Sequence, residues 1–253
     1  MEKTRNSLTL WNPSIRRKLT LPDFPRKLKS CSEEFGFGYD PISDDYKIIR
    51  ISHARDTSLF YAVKTGAWCE IASPKLLCLN VLPRPCSLEG VLHWSVRYRI
   101  ESEEMHLTCS ILTFNLSTHV FGMIPLPPPT SDWMTTGLTT IQGSLALISY
   151  HMKFEDTWIW VRRDFSWSVF CRLNTIRQFI EGAFQLQPQP NNNGYLLLNI
   201  SGRLPEEVYV YNLKRGELSK VVDFDAASTL RNFCQCVETL RLLDMGETVC
   251  ETT

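Results

Sequence analysis

One short pattern recurs five times along the 253-residue chain and constrains its fold more than any other feature. An aromatic residue is followed by a short polar turn, and a second bulky residue usually stands seven positions on. The copies open at Trp11, Tyr61, Phe114, Trp160 and Tyr211, with Trp68, Phe121, Trp167 and Leu218 as the later partners. Successive opening aromatics are 46 to 53 residues apart. A period of that length built from strands and turns marks a radially repeated β-structure, in which each unit covers the faces of its neighbours. Such scaffolds more often hold a partner than run a reaction.

Each copy carries another strand before its aromatic. Val91–Val96, Ser144–Ser149 and Tyr195–Ile200 are apolar runs too short for helices, and Gly90, Gly143 and Gly194 precede them in phase with the aromatics. In the preceding copy Asp45–Ile51 takes that place, with Asp44-Asp45 in the turn. A glycine there accepts a positive φ and lets backbone approach closely. The unit is therefore four antiparallel strands A to D: B, opened by glycine, runs into a crowded centre, C ends at the aromatic, and D follows the tight turn. The fold class is all-β, a kelch-like β-propeller of about five four-stranded repeats, forming one domain over residues 1–253. The first repeat is incomplete, because its strand B is absent. Residues 233–243 alternate enough to supply a closing strand, which still leaves one strand short.

Alternating strand direction sorts the connections. The C–D turns share one face and resemble one another. The B–C loops (52–57, 97–106, 150–156 and 201–206) and the D–A loops (22–33, 73–87, 125–135 and 174–190) share the other and differ in length and chemistry. Variable loops on a repeated scaffold are where binding specificity resides.

Lys+Arg and Asp+Glu both number 27. Phosphate-backbone binding needs a concentrated basic field, and the short runs Arg16-Arg17-Lys18 and Arg26-Lys27-Lys29 read as solvated surface, so no nucleic acid is expected. The longest apolar runs, Leu145–Ile148 and Tyr195–Leu198, are too short to cross a bilayer. The N-terminus lacks an apolar signal region. Nine cysteines without regular spacing, several of them in strand-like runs (Cys69, Cys109 and Cys171), read as reduced and mostly buried. Cytosol or nucleus is the expected compartment.

Two segments carry more than repeat chemistry. Trp11–Pro22 and Phe35–Ile51 strongly resemble the opening of the plant F-box associated domain, type 1. The resemblance runs on through Tyr61–Trp68, Gly90–Trp94, Phe114–Pro127 and Trp158–Val161 to Val237–Leu240. It implies a substrate-recognition domain of an SCF-type ubiquitin ligase, where an F-box docks on a Skp-like adaptor and a cullin while the β-domain selects the target protein. An F-box is a helical segment of roughly forty to fifty residues, several average helices long, and only ten residues precede Trp11. Receptor function is expected of the domain. Coupling to the adaptor and cullin is expected only if an F-box is supplied.

No Gly-rich phosphate loop, nucleophile elbow or zinc-binding helix motif is present, so no catalytic, cofactor or metal residue is assigned and no enzyme is expected. His93 reads as a hydrogen-bonded core histidine, and Cys234 and Cys236 as buried strand thiols. Trp68, Trp94, Trp158, Trp160 and Trp167 read as packing between repeats. Trp133, in the Pro-rich D–A loop, and Arg97, Tyr98 and Arg99, in a B–C loop, are the partner-binding candidates, because aromatics and arginines dominate protein-binding hot spots. The rival readings are a truncated product that is inactive or competes with a full-length relative, and a propeller-type carbohydrate binder or hydrolase.

Overall fold

The structure, a computed structural model, describes residues 8–25, 33–52, 57–73, 77–81, 85–99, 107–128, 133–151, 156–173, 189–190, 195–200, 207–212 and 214–223. Every regular element among them is a strand. The first sheet is the hairpin β1 (Thr9–Asn12) and β2 (Arg17–Thr20). The second holds β3 (Glu33–Asp40), β4 (Asp45–Ser52), β5 (Thr57–Ala62) and β6 (Ala67–Ala72) in that order. In the third, β7 (Leu77–Val81) and β8 (Cys86–Leu88) share position A beside β9 (Val91–Arg99), followed by β10 (Leu107–Asn115) and β11 (Val120–Pro125). The fourth holds β12 (Trp133–Ile141), β13 (Ser144–His151), β14 (Asp156–Arg163) and β15 (Ser166–Leu173). The fifth holds β16 (Gln189–Pro190), β17 (Tyr195–Ile200), β18 (Glu207–Asn212) and β19 (Glu217–Asp223). All pairings among the described residues are antiparallel, and β7, β8 and the start of β12 occupy stretches that the sequence reading assigns to D–A loops. The closing segment 233–243 lies outside the described residues.

Strand alternation turns each sheet into a two-faced wedge. Ile49, Ile51, Phe60 and Ala62 face the third sheet and pack on Leu92, Trp94, Leu112 and Phe114. Ile48, Tyr61 and Val63 face the other way, onto Leu8, Leu10, Leu19 and Leu21 of the first. Ile111 joins Leu145 of the fourth sheet, whose Ala146, Ile148 and Ile159 in turn meet Tyr209 and Tyr211 of the fifth. The core is thus a series of inter-sheet layers in sequence order. This is why strand B reads as a continuous apolar run: both of its faces are covered.

One expectation is corrected. The strand nearest the centre is A, not B: β3 touches β8 and β9, and β12 touches β8, β9 and β16. B lies between A and C, so both of its backbone edges are paired, and D, with the exposed patterns of β6 and β11, is outermost. A second correction concerns cysteine. Cys86 is buried, Cys109 and Cys171 are half-buried, and Cys69 is exposed because it sits on an outer strand.

The seven-residue spacing has a geometric cause. Tyr61 faces Trp68, Phe114 faces Phe121 and Tyr211 faces Leu218 across a four-residue turn. The fourth copy differs: Asp164 and Phe165 form a two-residue turn and a bulge follows, so Trp160 faces Val169. In every copy the fifth residue after the aromatic is left-handed: Arg16 (φ 51°), Gly66 (65°), His119 (59°), Phe165 (62°) and Gly216 (67°). Asn12, Asn115 and Asn212 fold the turn by accepting main-chain amides from Ser14, Ser117 and Lys214.

Phe165 is 89% exposed and carries this strain with little packing in return. Asp164 and Phe165 both have positive φ, the condition of a type I′ turn, which favours glycine at its second position. Phe165→Gly is expected to raise the unfolding free energy by about 1 kcal/mol, read as a higher denaturant midpoint at unchanged m-value.

Candidate functional site

Strands B and D end, and strands A and C begin, on the same face of the ring. The rim they form brings arginines and aromatics together in consecutive sheets. At the end of β4, Arg50 is buried and forks onto Glu33 at the start of β3, with Nε and Nη2 donating over 2.9 and 2.5 Å. Its guanidinium lies 3.8 Å above the Phe24 ring, and its Nη1 has no hydrogen-bond partner among the described residues. In the fourth sheet the exposed Arg172 stacks 3.8 Å above Trp158, which in turn stacks on Trp160 at 5.3 Å. A planar guanidinium over an aromatic face is held by charge and dispersion together, and its free edge remains able to donate.

The four sequence candidates converge on this rim, yet from strands rather than loops. Arg97, Tyr98 and Arg99 are the last residues of β9, opposite Cys109, Thr108 and Leu107. Arg97 is exposed, while Tyr98 is half-buried with its hydroxyl 3.4 Å from Ser110 Oγ. Trp133 opens β12, opposite His151, one sheet further round. The Arg50–Glu33–Phe24 and Arg172–Trp158 groups escape a sequence reading. Each joins residues far apart in sequence, on strand ends or, for Phe24, just beyond β2, with no local signal in common. The B–C loops themselves, and most of the D–A connections, lie outside the described residues.

The opposite face is a mechanical seam. Lys47 Nζ donates to Asp40 Oδ2 at 2.8 Å and to the Leu116 carbonyl at 2.7 Å, and sits 3.2 Å from His119 Nε2. Ser43 and Ser117 hydroxyls and the Ile42 amide complete the shell of Asp40. Burial alone would push this carboxyl up, but the donors from Lys47, Ser117, Ser43 and Ile42 reverse the effect and hold it well below the usual carboxylate range. The network fastens the A–B turn of the second sheet to the C–D turn of the third. Similar staples recur outside: Trp68 Nε1 donates to the Pro22 carbonyl at 3.0 Å, and Trp167 Nε1 to that of Pro125 at 2.9 Å.

The remaining reactive groups are quiet. Burial lowers the pKa of His93, whose Nδ1 lies 3.2 Å from the Cys86 carbonyl, so it is the core histidine expected. Burial pushes the Cys86 and Cys171 thiols up to about 12. Among the described residues no group of three His, Cys, Asp or Glu stands at metal-binding distance.

Strand order, repeat length and inter-sheet packing define a β-propeller domain. The sequence profile of the F-box associated beta propeller domain matches residues 1–229, and the chain belongs to that family. It is 26% identical to an F-box protein of Arabidopsis thaliana over 94% of this chain and 70% of that protein. With an F-box/kelch-repeat protein of the same plant it shares 25% identity over 69% of this chain, and it spans 50% of that relative's length. Among solved structures, a chain of the mitotic checkpoint complex aligns over 88% of this chain and 59% of its own, with 14% identity and a TM-score of 0.45. The β-propeller domain of the Trilobed protease from Pyrococcus furiosus aligns over 76% and 53%, at 12% and 0.35. Likeness at that level concerns the fold alone.

Proposed function

We propose that this domain selects a target protein through the arginine- and aromatic-bearing rim, as the recognition module of an SCF-type ubiquitin ligase. The observation that supports this reading most directly is the gathering of arginines and aromatics on one face of three consecutive sheets, with a guanidinium stacked on an aromatic ring in the second and the fourth. This is the chemistry that dominates protein-binding hot spots, with little rotamer entropy left to lose on binding. A Skp-like adaptor and a cullin join where an F-box is supplied with the domain, in cytosol or nucleus. The domain works by binding rather than catalysis.

Alanine at Arg97, Tyr98 and Trp133, and separately at Trp158 and Arg172, is expected to weaken target capture tenfold or more, since a hot-spot truncation costs about 2 kcal/mol or above. Lys64→Ala and Lys214→Ala, on the turn face, serve as controls. Proteins cross-linked to each variant in plant lysate are compared by quantitative mass spectrometry. Loss of the captured set in the turn-face variants, with the rim variants unchanged, would reverse the assignment of faces.

A further inference from the structure

The shortest C–D turn carries the most exposed large hydrophobic side chain among the described residues. Phe165 is 89% exposed and sits at a φ of 62°. Gly66 and Gly216 hold the matching place in the second and fifth sheets without steric cost. In the third sheet His119 takes it and stacks on the Phe60 ring at 4.1 Å. In the first it falls to Arg16, which is exposed and charged. Phe165 alone is apolar, strained and open to solvent. A bulky residue kept in the left-handed region without packing is an outlier that points to use.

The charges beside it are open as well. The Arg162 Cζ lies 5.4 Å from the centre of the Phe165 ring, and the buried Arg162 Nε has no acceptor among the described residues. Neither Arg162 nor Arg163 has a carboxylate within ion-pair distance among those residues, whereas Lys47 and Lys64 on the same face meet Asp40 and Asp44 at 2.8 and 3.6 Å. Arg163 Nη2 donates to Gln142 Oε1 at 2.9 Å, and Ser166 Oγ donates to the Arg163 carbonyl at 3.0 Å. These bonds tie the C–D turn to the A–B turn of its own sheet. The ring is therefore presented on a fixed hairpin, and little conformational entropy is left to lose on contact.

We propose that Phe165, Arg162 and Arg163 form a second docking point, on the face away from the rim, for an acidic segment of a partner protein. Apolar side chains of that segment close over the Phe165 ring, and its carboxylates pair with the two guanidiniums. Charge selects this partner. Two cations without carboxylates beside a single ring fit anions held at set points. An anionic bilayer fits less well, because one aromatic and two cations fall short of the paired signals that stable membrane anchoring takes. The exposed Asp164 carboxylate would also be pressed against the headgroups, while a peptide can set its own carboxylates on the arginine side. The stability that glycine would restore at this turn is given up for the contact.

Fluorescence anisotropy tests this on the full chain with two labelled synthetic peptides, one repeating Glu-Glu-Leu and the other Lys-Lys-Leu. The acidic peptide is expected to bind and the basic one to stay free, with affinity falling as salt is raised. Phe165→Gly should weaken binding about tenfold or more, the scale of a hot-spot truncation. Its denaturant midpoint should rise at the same time, so the loss is not one of folding. Phe165→Trp should keep the affinity, and Arg162→Gln combined with Arg163→Gln should remove most of the salt dependence. No binding of the acidic peptide, equal binding by the Phe165→Gly variant, or a preference for phosphatidylserine vesicles over the peptide would overturn the proposal.

Discussion

Lys47→Met is expected to lower the unfolding free energy by about 3–5 kcal/mol, because it strands a buried carboxylate without its counter-charge. Asp40 is fully buried, and its ordinary desolvation cost is offset here by one ammonium group and three hydrogen-bond donors. Removing the ammonium leaves the charge with dipoles only. It also frees the Leu116 carbonyl, one of the points at which the third sheet is tied to the second. Domains have about 5–15 kcal/mol in total, so the variant should be marginal, with a melting temperature lower by roughly 10 °C. Adding Asp40→Asn should restore part of the loss, since the amide keeps the turn contacts without the buried charge. Denaturant midpoints of the single and double variants measure both effects. A loss below about 1 kcal/mol for Lys47→Met would mean that water reaches the carboxylate, and that the seam is not the fastening described.

The same seam sets the acid limit of the domain. Burial, and then the neighbouring Lys47 charge, lower the pKa of His119, against a smaller upward pull from Asp40. The folded chain therefore binds fewer protons than the unfolded chain once pH falls below the ordinary histidine value of 6.5. Stability decreases from there toward the depressed folded value. His93 acts in the same direction. Asp40 contributes later: its stabilisation is complete above 3.8 and is lost only as pH falls toward its own lowered value. Protonating His119 places a second cation 3.2 Å from Lys47, so the histidine arm comes first. His119→Asn tolerates the φ of 59° and should flatten the decline between pH 7 and 5.

Sequence made the repeat legible because it is written in local terms. An aromatic, a turn and a bulky residue facing it across the hairpin need only a window of eight residues. The positive φ at Gly90 and Gly143 and the satisfied core role of His93 were readable for the same reason. The seam was not. Ser117 is 77 residues from Asp40 and His119 is 72 from Lys47, and nothing local distinguishes these from surface polar residues. The rim was half legible. Alternating direction predicts which strand ends share a face, but not that Arg97 and Trp133 would stand on strands instead of loops. Nor could it reveal that Arg172, on an outer strand, would cover Trp158. Such pairings depend on register and on the bulge at Trp160, which follows from a turn two residues long.

Gly36→Ala is expected to cost about 3 kcal/mol or more, although a single methyl group is all it adds. A Cβ at this position of β3 would lie 2.5 Å from Trp94 Cζ2, 2.8 Å from Leu92 Cδ1 and 2.9 Å from Ile49 Cγ2. All three neighbours are fully buried, and they belong to the layer that joins the second and third sheets. None can withdraw without opening that layer, so the strain must be stored or the sheets must separate. Gly143→Ala gives the contrast. Nothing stands within 4 Å of its would-be Cβ, and its φ of 72° is the sole objection, so about 1 kcal/mol is expected. Trp94→Phe decides whether the tryptophan ring is the obstacle. Combined with Gly36→Ala it should recover much of the loss, giving a large favourable coupling in a double-mutant cycle. Additivity would show that Leu92 and Ile49, at 2.8 and 2.9 Å, exclude the methyl whether or not the indole is present.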